Sequence, residues 1–312
     1  MMTHEGAPGA ATHWTMEMVP VADSIRLAVG KTGAQDEHDP LIALHGITAH
    51  HRSFNAVARY ITHPGGVHGV DLRGRGDSDK PASGYGHDQH ARDIVALLDH
   101  YGIERAIIMG HSMGAFVAVQ VALLFPQRVR GLVLMDGGFP ADAAAQADPN
   151  STEAKEMQAG LMRAFNRLSM SFASPDAYLD YWFPGQGVTL DVLPPDLADY
   201  YLYDLQKGDD GLYRPKCAAQ AAMEDGVWTM THAPKEADIA AVTCPVALVR
   251  AEQGFIPGAG PLVTPGAVEA FKRALDVRAD LYLPGSNHYT MVMDPFANGV
   301  AAAVDQFAAT LE

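Results

Sequence analysis

Gly110-His111-Ser112-Met113-Gly114 stands between two apolar runs of different kinds. Ala106-Ile107-Ile108-Met109 precedes it, a short continuous run of the sort a buried strand uses. Ala115 to Leu124 follows, compatible with a helix and stopped by Pro126. A serine flanked by two glycines is common, but one placed on a strand-to-helix hairpin is a nucleophile elbow. The glycines let neighbouring backbone approach where a Cβ would clash, and the sharp turn pushes the serine oxygen into a cleft. The helix that follows turns its positive end toward any oxyanion forming there.

Composition narrows what surrounds this turn. The 312 residues can bury a large core, as one large domain or a domain with an insertion. Hydrophobic residues make up 48% and charged residues 19%, which describes a globular rather than a disordered chain. A formal net charge of −15 leaves no basic excess for phosphates, so neither nucleic acid nor an anionic membrane is expected as a partner. Cys217 and Cys244 cannot build a disulfide framework or a zinc site. Met1 to His13 lacks the basic start and apolar core of a secretory signal, and no run reaches the ~18 apolar residues of a membrane span. The expectation is a cytoplasmic enzyme.

Strand and helix patterns alternate outward from the elbow. Leu41 to Leu44, Ala106 to Met109 and Gly131 to Met135 suit central parallel strands, with Val67 to Leu72 in the same series. Ser24 to Val29 alternates in polarity like an edge strand. Ile94, Leu97, Leu98 and Tyr101 place an apolar face on a helix over Gln89 to Tyr101, which Gly102 ends. Such alternation predicts a mostly parallel sheet with helices on both sides. From Phe139 to Lys235 strand signals cease. Helical stretches near Thr152 to Phe172, Ala177 to Trp182 and Leu197 to Leu205 carry Phe165, Tyr178, Tyr181, Trp182, Phe183, Tyr200, Tyr201 and Tyr203. Most of these aromatics are expected to pack the segment down, and some to line an apolar pocket beneath a lid. Strands resume at Pro245 to Arg250 and Ala279 to Leu283, separated by a helix over Pro265 to Leu275 and followed by one over Pro295 to Leu311. The expected organisation is a tail over 1–13, a core formed by 14–138 and 236–312, and a helical cap over 139–235.

A serine hydroxyl needs a base, and the base needs an orienting acid. The elbow motif places the base late, after the last strand, where Gly285-Ser286-Asn287-His288-Tyr289 stands. His288 is the candidate. His232, the only other histidine after Ser112, falls in the lid segment. Two backbone N–H groups are needed to hold an oxyanion. Met113 follows the nucleophile, and Gly46 in His45-Gly46-Ile47-Thr48 lets the chain turn so that the Ile47 amide can aim at the pocket. His50 and His51 follow this loop without a carboxylate cluster, so they are expected as solvated loop residues and not as a metal site.

In this order and spacing the chain resembles an α/β-hydrolase-fold serine hydrolase, of the esterase or lactonase kind, from about Ser24 to Leu311. The resemblance rests on His45-Gly46 after a strand, Asp71-Leu72-Arg73-Gly74-Arg75-Gly76-Asp77-Ser78, the elbow at Ser112 and the late His288. It implies an eight-stranded, mostly parallel sheet with a helical cap, and a scaffolding role for Asp71 and Arg73. Most members of that superfamily carry the triad acid after the seventh strand. Here Arg250-Ala251-Glu252-Gln253-Gly254 has Gly254 at that place. Two carboxylates remain open as the acid: Asp136, directly after the sixth strand as in certain lactonases and dehalogenases, and Glu252. Asp136 is favoured.

The expected chemistry is acyl transfer through Ser112, with no cofactor and no metal. A serine at the elbow argues against the carboxylate-nucleophile chemistry of haloalkane dehalogenases and epoxide hydrolases. A small carboxylic ester or lactone is the leading substrate class. Hydrolysis of a C–C bond next to a ketone is the alternative within enzymes. A non-catalytic ligand-binding member of the fold is the alternative outside them.

Overall fold

The computed structural model describes residues 11–21, 24–33, 39–140, 152–255, 258 and 260–311. Residues 1–10 of the expected tail and 141–151 of the expected cap lie outside them. Thr12, at the end of that tail, donates its hydroxyl to the Asn55 carbonyl at 2.6 Å.

Ten strands occur among the described residues: β1 Thr15–Pro20, β2 Arg26–Lys31, β3 Leu41–Leu44, β4 Val67–Val70, β5 Ala106–His111, β6 Val129–Met135, β7 Leu205–Lys207, β8 Tyr213–Pro215, β9 Val246–Gln253 and β10 Val277–Asn287. Eight form one sheet in the order β1-β2-β4-β3-β5-β6-β9-β10. The β1–β2 and β2–β4 pairs are antiparallel, and every other pair in the sheet is parallel. The helices are α1 Asn55–Tyr60, α2 His87–His100, α3 Met113–Leu124, α4 Thr152–Asn166, α5 Pro175–Trp182, α6 Pro195–Tyr203, α7 Ala219–His232, α8 Glu236–Ile239, α9 Pro265–Ala274 and α10 Ala297–Ala309.

The period of two along each central strand divides the core between two faces. Ile42, Leu44, Ile108, Leu132 and Leu134 pack with Ile94 and Leu97 of α2, Val117 and Val121 of α3, and Phe271 of α9. Their neighbours Leu41, Ala43, Ile107, Met109 and Val133 pack on the other face with Val57 of α1 and Val300, Val304 and Phe307 of α10. Burial on both faces is why these strands read as continuous apolar runs.

Several elements depart from the sequence expectation. The expected edge strand near Ser24 is the second strand, because β1 pairs along its outer side. Only Val19 of β1 is buried, while Met16 and Met18 face outward, so no alternating pattern marks it. The region between β6 and β9 contains a hairpin of β7 and β8, three residues each, too short for a period to register. It also contains α7, whose Met223, Val227 and Met230 are exposed and blur the contrast between its faces. No helix among the described residues is long and apolar enough to cross a membrane.

The β5–α3 turn is a tight crossing of backbone on backbone. A Cβ built on Gly110 would lie 2.2 Å from the Gly114 carbonyl oxygen, and one on Gly114 would lie 2.0 Å from the Leu44 carbonyl oxygen. Both obstacles are backbone, so neither yields to a rotamer change. Gly114→Ala is therefore expected to destabilise the fold by at least about 2 kcal/mol, because an added methyl must push β3 and α3 apart. Urea unfolding of the variant measures this; an unchanged midpoint would show that the crossing has slack.

Candidate active site

Ser112 occupies the single residue between β5 and α3, with φ 57° and ψ −123°. That left-handed backbone is uncommon for a residue bearing a Cβ and is held only where its surroundings over-determine it. Here the Ser112 N–H donates to the Met135 carbonyl at 2.9 Å, and the Ser112 carbonyl accepts from Ala115 N–H at 3.0 Å. A Cβ on Gly137 would lie 2.3 Å from the Ser112 carbonyl oxygen, so the chain leaving β6 must also be bare where it passes the elbow.

That same chain carries Asp136, itself at φ 48°, beneath the C-terminal end of the sheet. His288 follows β10, and its Nδ1 lies 2.6 Å from Asp136 Oδ2, with both residues buried. Since a carboxylate only accepts, Nδ1 carries the proton and Nε2 is left free for a hydroxyl. Glu252 goes elsewhere: its exposed carboxylate accepts from Gly285 N–H at 2.7 Å. Gly254 contributes backbone instead of an acid, its carbonyl accepting the His288 N–H at 3.1 Å. Of the two carboxylates, only Asp136 reaches His288. The hydrogen bonds of the site do not include one between Ser112 and His288. The two are neighbours through His111, whose ring lies 4.6 Å from that of His288 and whose Nε2–H donates to the His288 carbonyl at 2.9 Å.

The loop after β3 lies against the elbow. A Cβ on Gly46 would stand 3.3 Å from the Ser112 Cβ and 3.6 Å from its Oγ. The buried His45 ring sets the direction of the next peptide. Its Nε2 accepts from Leu72 N–H at 3.0 Å, so its Nδ1 bears hydrogen and donates to the Gly46 carbonyl at 2.7 Å. Ala49 N–H donates to the same oxygen at 3.1 Å. In a trans peptide the N–H points opposite the C=O, so holding Gly46 O also fixes the Ile47 N–H. Met113 begins α3, where an amide has no partner inside the helix.

His50 and His51 are both fully buried, contrary to the expectation of solvated loop residues. His51 lies over the bare backbone of β2 and β4, where a Cβ on Gly30 or Gly69 would come within 2.7 and 2.9 Å of its side chain. Its Nδ1 is 2.8 Å from Asp71 Oδ1, and Asp71 also accepts from Tyr203 OH at 2.6 Å and Asp77 N–H at 3.0 Å. Arg73 is held by Asp93 at 2.5 and 2.6 Å. Asp71 and Arg73 thus bind loops together.

The aromatics between β6 and β9 divide. Tyr178 packs with Phe172 and Leu205, and Tyr181, Trp182 and Tyr201 lean on them, forming a small core of their own. Phe165 of α4 and Ile47 both border Gly226 of α7, and Gly160 of α4 borders Phe255, whose ring lies 4.6 Å from His288. These two helices therefore lie against Ile47 of the loop after β3 and against Phe255 beside the histidine. Sequence reasoning missed the position of His111, the pairing of Arg75 with Asp225 and that of Arg167 with Asp204. No periodicity marks residues that meet only across the fold.

A family model for the alpha/beta hydrolase fold matches residues 39–169. The chain has the alpha/beta hydrolase fold. The chain is similar to 2-(acetamidomethylene)succinate hydrolase of Mesorhizobium japonicum, 28% identical over 260 residues, or 82% of this chain and 83% of that one. A crystal structure of E-2-(acetamidomethylene)succinate hydrolase matches with a TM-score of 0.70 at 24% identity, covering 94% of this chain and 100% of that one. A 2-hydroxy-6-oxononadienedioate/2-hydroxy-6-oxononatrienedioate hydrolase of Burkholderia vietnamiensis is 34% identical over 166 residues, 49% of this chain and 54% of that protein.

Burial keeps the two histidines around the elbow neutral, pulling His45 down to about 4 and His111 down to about 3 from an ordinary value of 6.5. Each has its pKa depressed by folding, so between those values and 6.5 the unfolded chain binds protons that the folded chain does not. Stability is then complete above pH 6.5 and declines as pH falls. The urea midpoint is expected to be lower at pH 5 than at pH 7.5, with a smaller drop in His111→Asn. A midpoint that held or rose at pH 5 would contradict this assignment.

Proposed function

We propose that this chain is a serine hydrolase that attacks a substrate carbonyl carbon with Ser112. The observation that carries this reading is the strained Ser112 at the elbow, whose chain neighbour His111 lies 4.6 Å from the His288 ring, with the Nδ1 of that ring meeting Asp136 at 2.6 Å. His288 Nε2 takes the Ser112 proton as Oγ bonds to the carbonyl carbon. Asp136 steadies the imidazolium, and the oxyanion rests on the Ile47 and Met113 N–H groups. Collapse expels the leaving group, which takes the proton from His288. Water, deprotonated by the same histidine, then releases the acyl group as an acid and restores Ser112.

The substrate is a small carbonyl compound carrying carboxylates. The named substrates of the similar proteins, a succinate and a nonadienedioate, are both dicarboxylates. The 6-oxo group named for the second of these favours cleavage of a C–C bond next to a ketone over an ester or lactone; in that reaction the leaving carbon accepts the proton from His288. Ester cleavage stays as the second reading because the same serine, base and amides serve it.

A fluorophosphonate should label the wild type and not Ser112→Ala. Absence of labelling together with no turnover across ketone, amide, lactone and p-nitrophenyl ester substrates would leave a non-catalytic binder. A panel in which an oxo-dienedioate outpaces p-nitrophenyl acetate supports the C–C reading, and the reverse order supports ester cleavage. Asp136→Asn is expected to lower kcat by about 10⁴-fold. Glu252→Gln should stay within about twofold, as a surface change does. Loss of activity in Glu252→Gln alone would reassign the acid.

A further inference from the structure

Three consecutive carbonyls of the loop after β3 are held by side chains from different parts of the molecule. Gly46 O belongs to His45, as described above. Ile47 O accepts from Arg75 Nε–H at 3.0 Å. Thr48 O accepts from Arg167 Nη2–H at 2.9 Å. Both arginines are buried. Arg75 also donates to the Arg73 carbonyl at 3.0 Å, and its Nη1 is 2.5 Å from Asp225 Oδ2 on α7. Arg167, just beyond α4, donates to the Ala164 carbonyl and to Tyr178 OH, each at 2.8 Å, and pairs with Asp204 at 3.0 Å.

The two clamps have the same construction. A guanidinium whose charge is met by a carboxylate from the segment between β6 and β9 spends one N–H on a carbonyl of the loop. Asp225 is tied in further by His90 Nε2 at 2.9 Å and by Gly86 N–H at 2.6 Å. Burial would raise the Asp225 carboxyl, but His90 and Arg75 outweigh it and hold that group well below the usual carboxylate range. A buried ion pair is a poor device for stability alone, since apolar residues of the same volume serve as well or better. A forked, always-charged donor reaching several fixed acceptors is a good device for setting geometry.

We infer that Arg75 and Arg167 are positioning residues that fix the peptides on either side of Thr48, so that the Ile47 N–H is aimed before substrate arrives. This rests on the proposed use of that N–H as an oxyanion donor. Because each clamp ends on Asp225 or Asp204, the segment above the sheet sets the oxyanion geometry as well as covering the cleft. Misaiming the donor weakens an interaction made in the transition state, so the rate of the chemical step falls while ground-state binding holds.

The test uses Arg75→Lys, Arg167→Lys and the double variant Arg75→Met/Asp225→Asn, each first checked for a cooperative thermal unfolding transition. The lysines keep a cation beside the buried carboxylate but cannot reproduce the fork, so they remain informative where the double variant does not fold. Time-resolved labelling with a fluorophosphonate separates the maximal rate of phosphonylation from the inhibition constant. The maximal rate is expected to fall about 10- to 100-fold, somewhat less than the ~10²–10³ cost of deleting an oxyanion donor. The inhibition constant should stay within about twofold, and phenylboronic acid, which places an oxygen in the same hole, should bind more weakly in step with the rate. Folded variants that label at the wild-type rate, or that change only the inhibition constant, overturn the inference. A wild type that does not label at all overturns the proposed function and this inference with it.

Discussion

Backbone crosses backbone at Ser112 with no room for side chains, and much else in the molecule follows from that crowding. Gly110, Gly114 and Gly137 are bare where a Cβ would come within 2.3 Å of main-chain oxygens. Their absence of side chains lets β5 end, turn through one left-handed residue and enter α3 in the space between β3 and β6. The hydroxyl is thereby lifted to the end of the sheet, and the first amide of α3 is left beside it. The strain of the turn is held by two long apolar faces packed on either side of the same strands. A weaker sheet would let Ser112 relax into ordinary backbone.

Around the turn, neutral and charged groups divide the labour of orientation. His45 and His111 are kept neutral by burial, and each uses one ring N–H on a carbonyl, that of Gly46 and that of His288. Arg75 and Arg167 do the corresponding work on Ile47 and Thr48 with charges that are met inside the fold. The outcome is a loop whose carbonyls point into the protein, leaving an amide on the opposite side.

The local part of this plan was legible in the chain. The β5 and β6 runs, the glycine pair around Ser112 and the apolar face of α2 each follow from spacing within a dozen residues. So does the placement of His288 after the last strand. β1 escaped because one buried valine in six residues makes no period, and the β7–β8 hairpin because three residues cannot show one. The burial of His51 was invisible for another reason: it depends on two glycines, Gly30 and Gly69, lying on paired strands far apart in sequence.

The sequence by itself determined the turn at Ser112, the alternation of the central strands with their helices, and the short set of residues able to assist the serine. Those are consequences of local sterics and of periodic burial. The tertiary structure placed Asp136 rather than Glu252 against His288, because the pairing of β6 with β9 and of β9 with β10 brings a carboxylate 152 residues away in sequence to its Nδ1. It also decided which arginines hold the loop after β3. A hydrogen bond depends on distances of about 3 Å and on direction, and neither exists until the chain has closed on itself.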